Sequence, residues 1–344
     1  IDTRRWWPAL LLGVSLGFGL NAKYAMAYFV LCTLVYAIAT PARRSLLAET
    51  RWWTAIIIGV VLITPNLLWN IDHGFATFDH TVDNADWSGA LFHPEKAVEF
   101  FAAQFGVFGP ILFISLLIIA YRGLADRLSG PDRLLLAFAL PVILIVLVQA
   151  FISRAHANWA AVSYVAATPL VVATMFRDGA RGWFHAALAI HFAAMTIIVA
   201  GFASAGSFMW PGGKDPYVRT VGWKEIAAEV RRELSAGMAA GRPYRTVVTT
   251  DRALTAELLY YLRATPMPIL RWRPRESAND HYQLTRPFTK RSPEPVLLVA
   301  LGNLPKAVSR TFQLTASPIR LRVPAGLNST RTLVLARAQS VDGQ

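Results

Sequence analysis

The chain has 344 residues, 54% of them hydrophobic and 16% charged, with a formal net charge of +13 and a mean hydropathy of +0.39. Soluble domains carry about 25% charged residues, so a chain built only of ordinary water-soluble domains is excluded. A single cysteine, Cys32 in an apolar run, excludes a disulfide framework and a Cys-based metal site and reads as packing.

The chain starts abruptly at Ile1-Asp2-Thr3, without an initiator Met or a signal peptide, and reads as a piece of a longer one. Residues 1–209 read as a membrane domain of about seven transmembrane helices, near 6–20, 24–40, 52–69, 100–120, 133–152, 159–176 and 183–206. Alternating connections sort the basic residues. Arg4, Arg5, Arg43, Arg44, Arg51, Arg122, Arg127, Arg133, Arg177 and Arg181 fall on one side, and Lys23, Lys96 and Arg154 on the other. Positive charge marks the cytoplasmic side, which puts the remaining loops and residues 210–344 outside, in the periplasm of a bacterium.

The outer turns collect polar groups. Lys23 tips the first hairpin, where it suits a phosphate contact or a helix anchor. The loop at 70–99 holds four Asp, three His and two Glu, among them Asn70's neighbours Asp72 and His73, then Asp79, His80, Asp83, Asp86 and His93. Its aromatic residues suit short helices at headgroup level. The loop reads as an active-site wall or as a solvated connector. The turn at 153–159 presents Arg154, His156 and Asn158, with Tyr164 a little further on. A guanidinium binds phosphate in two-pronged fashion, though Arg and Trp here also suit interfacial anchoring.

Residues 210–344 read as a small α/β domain, with a helix near 223–238, a strand at 246–250, a helix at 252–263 and strands near 267–270, 295–300, 319–323 and 332–338. It carries 21 Lys/Arg against 10 Asp/Glu. That distribution argues against nucleic acid; membrane lipids with anionic headgroups, or a phosphorylated substrate, are the natural partners, and a generic basic surface is the plain alternative. Asp251 and Glu257 invite a catalytic reading, but capping and solvation explain them as well.

Several segments, taken in order, resemble the bacterial membrane glycosyltransferases related to the dolichyl-phosphate-mannose protein mannosyltransferases, a group that includes the aminoarabinose transferases of lipid A. They are Gly17 to Tyr24, Pro65 to Gly74, Gln104-Phe105-Gly106 with Gly109-Pro110, Arg154 to Trp159, Gly222 to Ala227 and Glu257 to Leu262. The resemblance implies a multi-pass α-helical membrane protein of partial GT-C-like fold with a small extracytoplasmic α/β domain. It implies a hexosyl- or pentosyltransferase of the inner membrane, serving lipopolysaccharide or cell-envelope glycosylation. A sugar would pass from a polyprenyl-phosphate carrier to a lipid, glycan or protein acceptor, with inversion. The family's acidic base would lie upstream of residue 1, so no catalytic residue is assigned. Lys23, Asn70, His73, His80, Arg154, His156, Asn158 and Tyr164 would form the substrate-binding wall. Some relatives hold a divalent metal ion, for which His93 is the candidate ligand. A secondary transporter and a non-catalytic membrane assembly protein are the rival classes. A transporter would show interrupted helices and buried charge at mid-span, and an assembly protein has no need of the acidic, His-bearing loop. Within enzymes, a polyprenyl-phosphate phosphatase or ligase also fits.

Overall fold

The computed structural model describes residues 5–341 apart from 76, 79–86, 88–90, 126, 210–212, 214 and 275–277. Two compact units make up the chain, Ile1–Ala194 and Met195–Gln344.

The first unit is helical. Its elements are α1 (Trp7–Ala22), α2 (Ala27–Ala39), α3 (Thr50–Asp72), α4 (Pro94–Val107), α5 (Pro110–Leu124), α6 (Gly130–Ile152), α7 (Ser163–Arg177) and the greater part of α8 (Arg181–Ala203). Among the described residues, α3, α6 and α8 are long and apolar enough to cross a membrane, and α4 with α5 makes a fourth candidate if the bent pair is one span. Exposed Phe192, Ile197, Ile198 and Phe202 on α8 suit hydrocarbon rather than water.

Small residues let α1 and α3 meet backbone to backbone. A Cβ on Gly17 would stand 2.4 Å from Leu62 Cβ, and one on Gly13 2.8 Å from the Ala55 carbonyl. Close approach of this kind is what joins helices in lipid, where no hydrophobic force between them exists. The core of the unit lies among α5, α6 and α7, where Phe113, Leu116, Val142, Ile143 and Leu170 are all but inaccessible.

The expected span at 100–120 is bent rather than straight. The segment 100–120 is two helices, α4 and α5, turned 116° against each other. Gly109 sits at φ 84° and ψ 145°, which glycine tolerates and other residues avoid. Pro110 has no N–H to continue the ladder. The ladder stops with Phe108 N–H donating to Gln104 and restarts with Phe113 N–H donating to Gly109. A Cβ on Gly109 would stand 2.4 Å from His191 Cε1. Gly109→Ala is therefore expected to lower stability by about 1–3 kcal/mol, read as a lower melting temperature in detergent. Adding His191→Ala should recover only the clash, because the backbone strain stays.

Ion pairs tie the helix ends at one end of this unit. Arg122 pairs with Asp178, and Arg177 with Asp132 at 2.8 Å. Ser129 caps α6 there by accepting from Asp132 N–H. The arginines assigned to one side by sequence therefore include several that gather in space.

The second unit is α/β. Helices α9 (Trp223–Ala239), α10 (Arg252–Tyr261) and α11 (His281–Thr285) accompany strands β1 (Thr246–Thr249), β2 (Ile269–Arg271), β3 (Val296–Leu301), β4 (Phe312–Leu314), β5 (Ile319–Pro324) and β6 (Thr330–Ser340). The sheet runs β2-β1-β3-β6-β4, with β5 also on β6. β2, β1 and β3 are parallel, with Val247 opposite Ile269 and Leu297; β6 is antiparallel to β3, with Leu298 opposite Ala336. Strands β1 and β3 are apolar on both faces because both faces are covered. Ile226, Val230, Leu254 and Leu258 pack on one face, and Trp272, Val308 and Phe312 on the other. Strand β4 and helix α11 are too short to show a period in the sequence.

Asp251 caps α10, its Oδ1 accepting from Leu254 N–H at 3.0 Å, which answers the capping reading of that residue. Glu257 is half-buried, and burial raises its carboxyl above the usual range while the Arg331 guanidinium pulls it back. Arg331 itself lies 4.0 Å from the Trp223 ring centre.

Candidate functional site

At the other end of the first unit, the chain leaves α1 sharply. Lys23 N–H still donates to the Gly19 carbonyl, but Lys23 is extended (φ −161°, ψ 128°), and a short 3-10 turn, Tyr24–Met26, leads into α2. This jog sets Lys23 and Tyr24 side by side at a helix end.

A ladder of side chains then binds the turn to α3. Asn21 donates to the Gly17 and Leu62 carbonyls at 2.9 and 3.0 Å. The Tyr24 hydroxyl donates to Asn66 Oδ1. Asn70, fully buried, donates to the Asn66 carbonyl at 2.9 Å and accepts from Thr77 N–H at 3.2 Å. An amide inside a membrane unit is tolerated only when bonded in this way.

Between this ladder and α6 lies a cavity of about 720 Å³, lined by Lys23, Tyr24, Asn66, Trp87, Gln149 and Trp159 together with apolar side chains such as Leu20 and Val146. Lys23 is the only charged group among its described lining residues. Gln149 links the walls: its Oε1 accepts from Trp87 Nε1 at 3.0 Å and its Nε2 donates to the Arg154 carbonyl at 3.2 Å. One cation (Lys23), two phenols (Tyr24 and Tyr28) and three amides (Asn21, Asn66 and Gln149) beside apolar side chains can hold the negatively charged head of an amphiphile.

The residues expected from sequence fall into groups. Lys23 lines the cavity. Arg154, His156 and Asn158 are exposed on the adjoining turn, joined to the cavity by Gln149 and by Trp159, whose ring meets His156 edge-on at 5.3 Å. Asn70 lies beneath the cavity as a brace. Tyr164 is buried too: its hydroxyl donates to Gln104 Oε1 at 2.7 Å and its ring stacks on Phe108 at 4.1 Å. His73 is exposed, stacked on Trp69 at 4.2 Å, and is not among the cavity's lining residues. His80, Asp79, Asp83 and Asp86 lie outside the described residues. His93 Nδ1 is 3.0 Å from Glu95 Oε1. Among the described residues, no group of three or more His, Cys, Asp or Glu is placed to hold a metal ion, and one imidazole with one carboxylate falls short of a usual protein ligand set.

Sequence reasoning gave Gln149 no role, and it gave none to Tyr24, Asn66 or Gln104 beyond the resemblance. The available signal was a lone amide in an apolar run, as in Val148-Gln149-Ala150. Asn70→Ala is expected to cost about 1–3 kcal/mol by leaving buried partners unpaired. Faster amide hydrogen exchange at Thr77 would report it.

Residues 1–69 match the family model described as dolichyl-phosphate-mannose-protein mannosyltransferase. Over 275 residues the chain is 31% identical to the lipid A galacturonosyltransferase RgtD of Rhizobium johnstonii, covering 80% of this chain and 56% of that protein. The chain thus spans about half the length of this curated relative. No solved structure matches.

Proposed function

We infer that this chain, a member of the GT-C-like superfamily of membrane-associated glycosyltransferases, moves a sugar from a polyprenyl-phosphate carrier to a lipid, glycan or protein hydroxyl. The observation that carries this reading is the position of Lys23, beside phenols and amides in the lining of an apolar recess. As the anomeric C–O bond breaks, its electron pair stays on the carrier phosphate. Lys23 meets that developing charge, with the Arg154 turn at the edge of the recess. The acceptor oxygen attacks the opposite face of the anomeric carbon, which inverts it, and gives its proton to a base not assigned to any residue here. The name of the relative makes a lipid A-type acceptor and a galacturonosyl donor the first pair to try.

The arginine-gathering end is assigned to the cytoplasm, which sets the recess and residues 210–344 in the periplasm. Among the described residues the Asp, Glu, Lys and Arg of the helical unit lie near helix ends or in connections, which favours surface chemistry over transport, although the interrupted α4–α5 pair is a feature that transporters share. Two measurements test the reading. Membranes bearing the protein should transfer label from a polyprenyl-phosphate sugar, and no product with any such donor would sink it. A topology reporter after Gly213 should read periplasmic; a cytoplasmic signal overturns the orientation.

A further inference from the structure

The last turns of α8, from Met195 to Ala203, belong to the second unit. Within that unit the chain beyond α8 doubles back onto the helix. Gly206 N–H donates to Asp215 Oδ2 at 2.7 Å, and the other oxygen of that carboxylate accepts from Tyr217 N–H at 2.7 Å. The Tyr217 hydroxyl donates to the Ile198 carbonyl at 3.0 Å, with its ring edge-on to Phe202. The turn between β5 and β6 meets the chain at the same place. A Cβ on Gly326 would stand 2.9 Å from Gly206 Cα, and both glycines have left-handed backbones, at φ 88° and 75°. Asn328 Nδ2 is 3.4 Å from Met209 Sδ.

We propose that the β5–β6 turn is a membrane anchor, with Leu327 and Met209 seated among the lipid headgroups and upper acyl carbons where α8 leaves the bilayer. Depth follows from counting residues. Between Arg181 and Lys214 the sequence has no Asp, Glu, Lys or Arg. The 23 residues of α8 run about 34 Å against roughly 30 Å of hydrocarbon, so the helix ends at the bilayer surface. Gly206 follows within a turn of that end, and Gly326 packs on it. Ile198 lies about 8 Å before the helix end. Tyr217 therefore stands in the boundary between headgroups and acyl chains, where tyrosine is enriched.

The chemistry of the turn agrees. Ala325 N–H donates to the Ser329 carbonyl at 2.8 Å and closes it, and Leu327 in between is 64% exposed. Gly, Pro, Asn, Asp and Ser dominate such turns, so an exposed leucine beside an exposed methionine calls for an apolar surrounding. The turn adjoins the end of a helix whose exposed Ile197, Ile198 and Phe202 suit hydrocarbon, and lipid is what continues from one to the other. The second unit is thereby held to the bilayer at two points, the end of α8 and the turn. This attachment depends neither on the face at which α8 emerges nor on the reaction proposed above.

Nitroxide labels on Leu327→Cys and Met238→Cys test it, with one copy of the full chain in each lipid nanodisc. Met238 is 69% exposed and serves as the contrast. Helix α9 starts at the base of the turn, where a Cβ on Gly222 would stand 2.9 Å from the Pro324 carbonyl, and Met238 is about 22 Å further along it. Cys32 is buried, and unsubstituted protein labelled alongside sets the background. Oxygen concentrates in lipid and a nickel chelate in water, so the ratio of their effects reads depth. It should be severalfold higher at 327 than at 238. Equal ratios at the two positions, or a label at 327 shielded from both reagents by protein, would overturn the proposal. A label on Met209→Cys should also read lipid and shift toward water when Leu327→Asp is added. No shift would mean that α8 alone sets the depth, and would remove the turn from the anchor.

Discussion

Lys23→Ala is expected to lower sugar transfer roughly a hundred- to a thousandfold, the usual loss when a group aimed at developing negative charge is removed. The reason is its isolation. Lys23 is the only charged residue among the described residues lining the recess, so nothing else in that lining can neutralise a phosphate as it leaves. Lys23→Arg should restore part of the rate, since the charge returns on a longer and flatter group. Tyr24→Phe should do less harm, because Asn66 Oδ1 keeps its bond from Asn70 at 3.2 Å. The check is an initial-rate assay in membranes with protein levels matched by blot. A wild-type rate in Lys23→Ala would remove the residue from the proposed chemistry.

Arg271→Met should destabilise the second unit by about 3–5 kcal/mol. Arg271 and Asp280 form an ion pair at 3.1 Å with side chains only 11% and 7% exposed. The guanidinium also donates to the Thr249 carbonyl at 3.3 Å, and Asp280 caps α11 by accepting from Gln283 N–H at 2.9 Å. Removing the cation leaves a carboxylate buried without its partner, which costs more than the pair itself contributes. Asp280→Asn in the same chain removes that charge and keeps a capping side chain. The double variant should therefore be more stable than Arg271→Met alone. Denaturant unfolding followed by tryptophan fluorescence measures both, and additive losses would refute the coupling.

The division into an apolar helical part and an α/β part was legible because hydropathy and period are local properties. The runs at 246–250 and 295–300 lie close to β1 and β3, and the capping role of Asp251 was readable from its place before an apolar-periodic segment. The break at Gly109 was not legible as a sharp turn, since Gly-Pro inside an apolar run is compatible with a kink or a stop. Gly109 also packs against His191, a contact over 80 residues away in sequence that no local pattern announces. The site was legible in part for the same reason. Lys23 stood out as a lone cation at a hairpin tip. Gln149 reached Trp87 and the Arg154 turn only through tertiary placement, and nothing in the residues around it names those partners. Tyr164 looked available from its position after the turn, yet helix phase turns it inward to Gln104.

The two helices joined by the Lys23 turn are short. α1 has 16 residues and α2 has 13, or about 24 and 20 Å, against roughly 30 Å of hydrocarbon in an average bilayer. A bilayer meets such a mismatch by thinning around the protein or by tilting and crowding its helices. Local thinning would carry the headgroup plane down toward the recess, so a membrane-borne substrate would not have to be lifted out of the lipid to reach Lys23. Bilayer thickness then becomes a variable of the reaction. Turnover should be highest in short-chain lipids and fall as the acyl chains lengthen, with no change in any side chain.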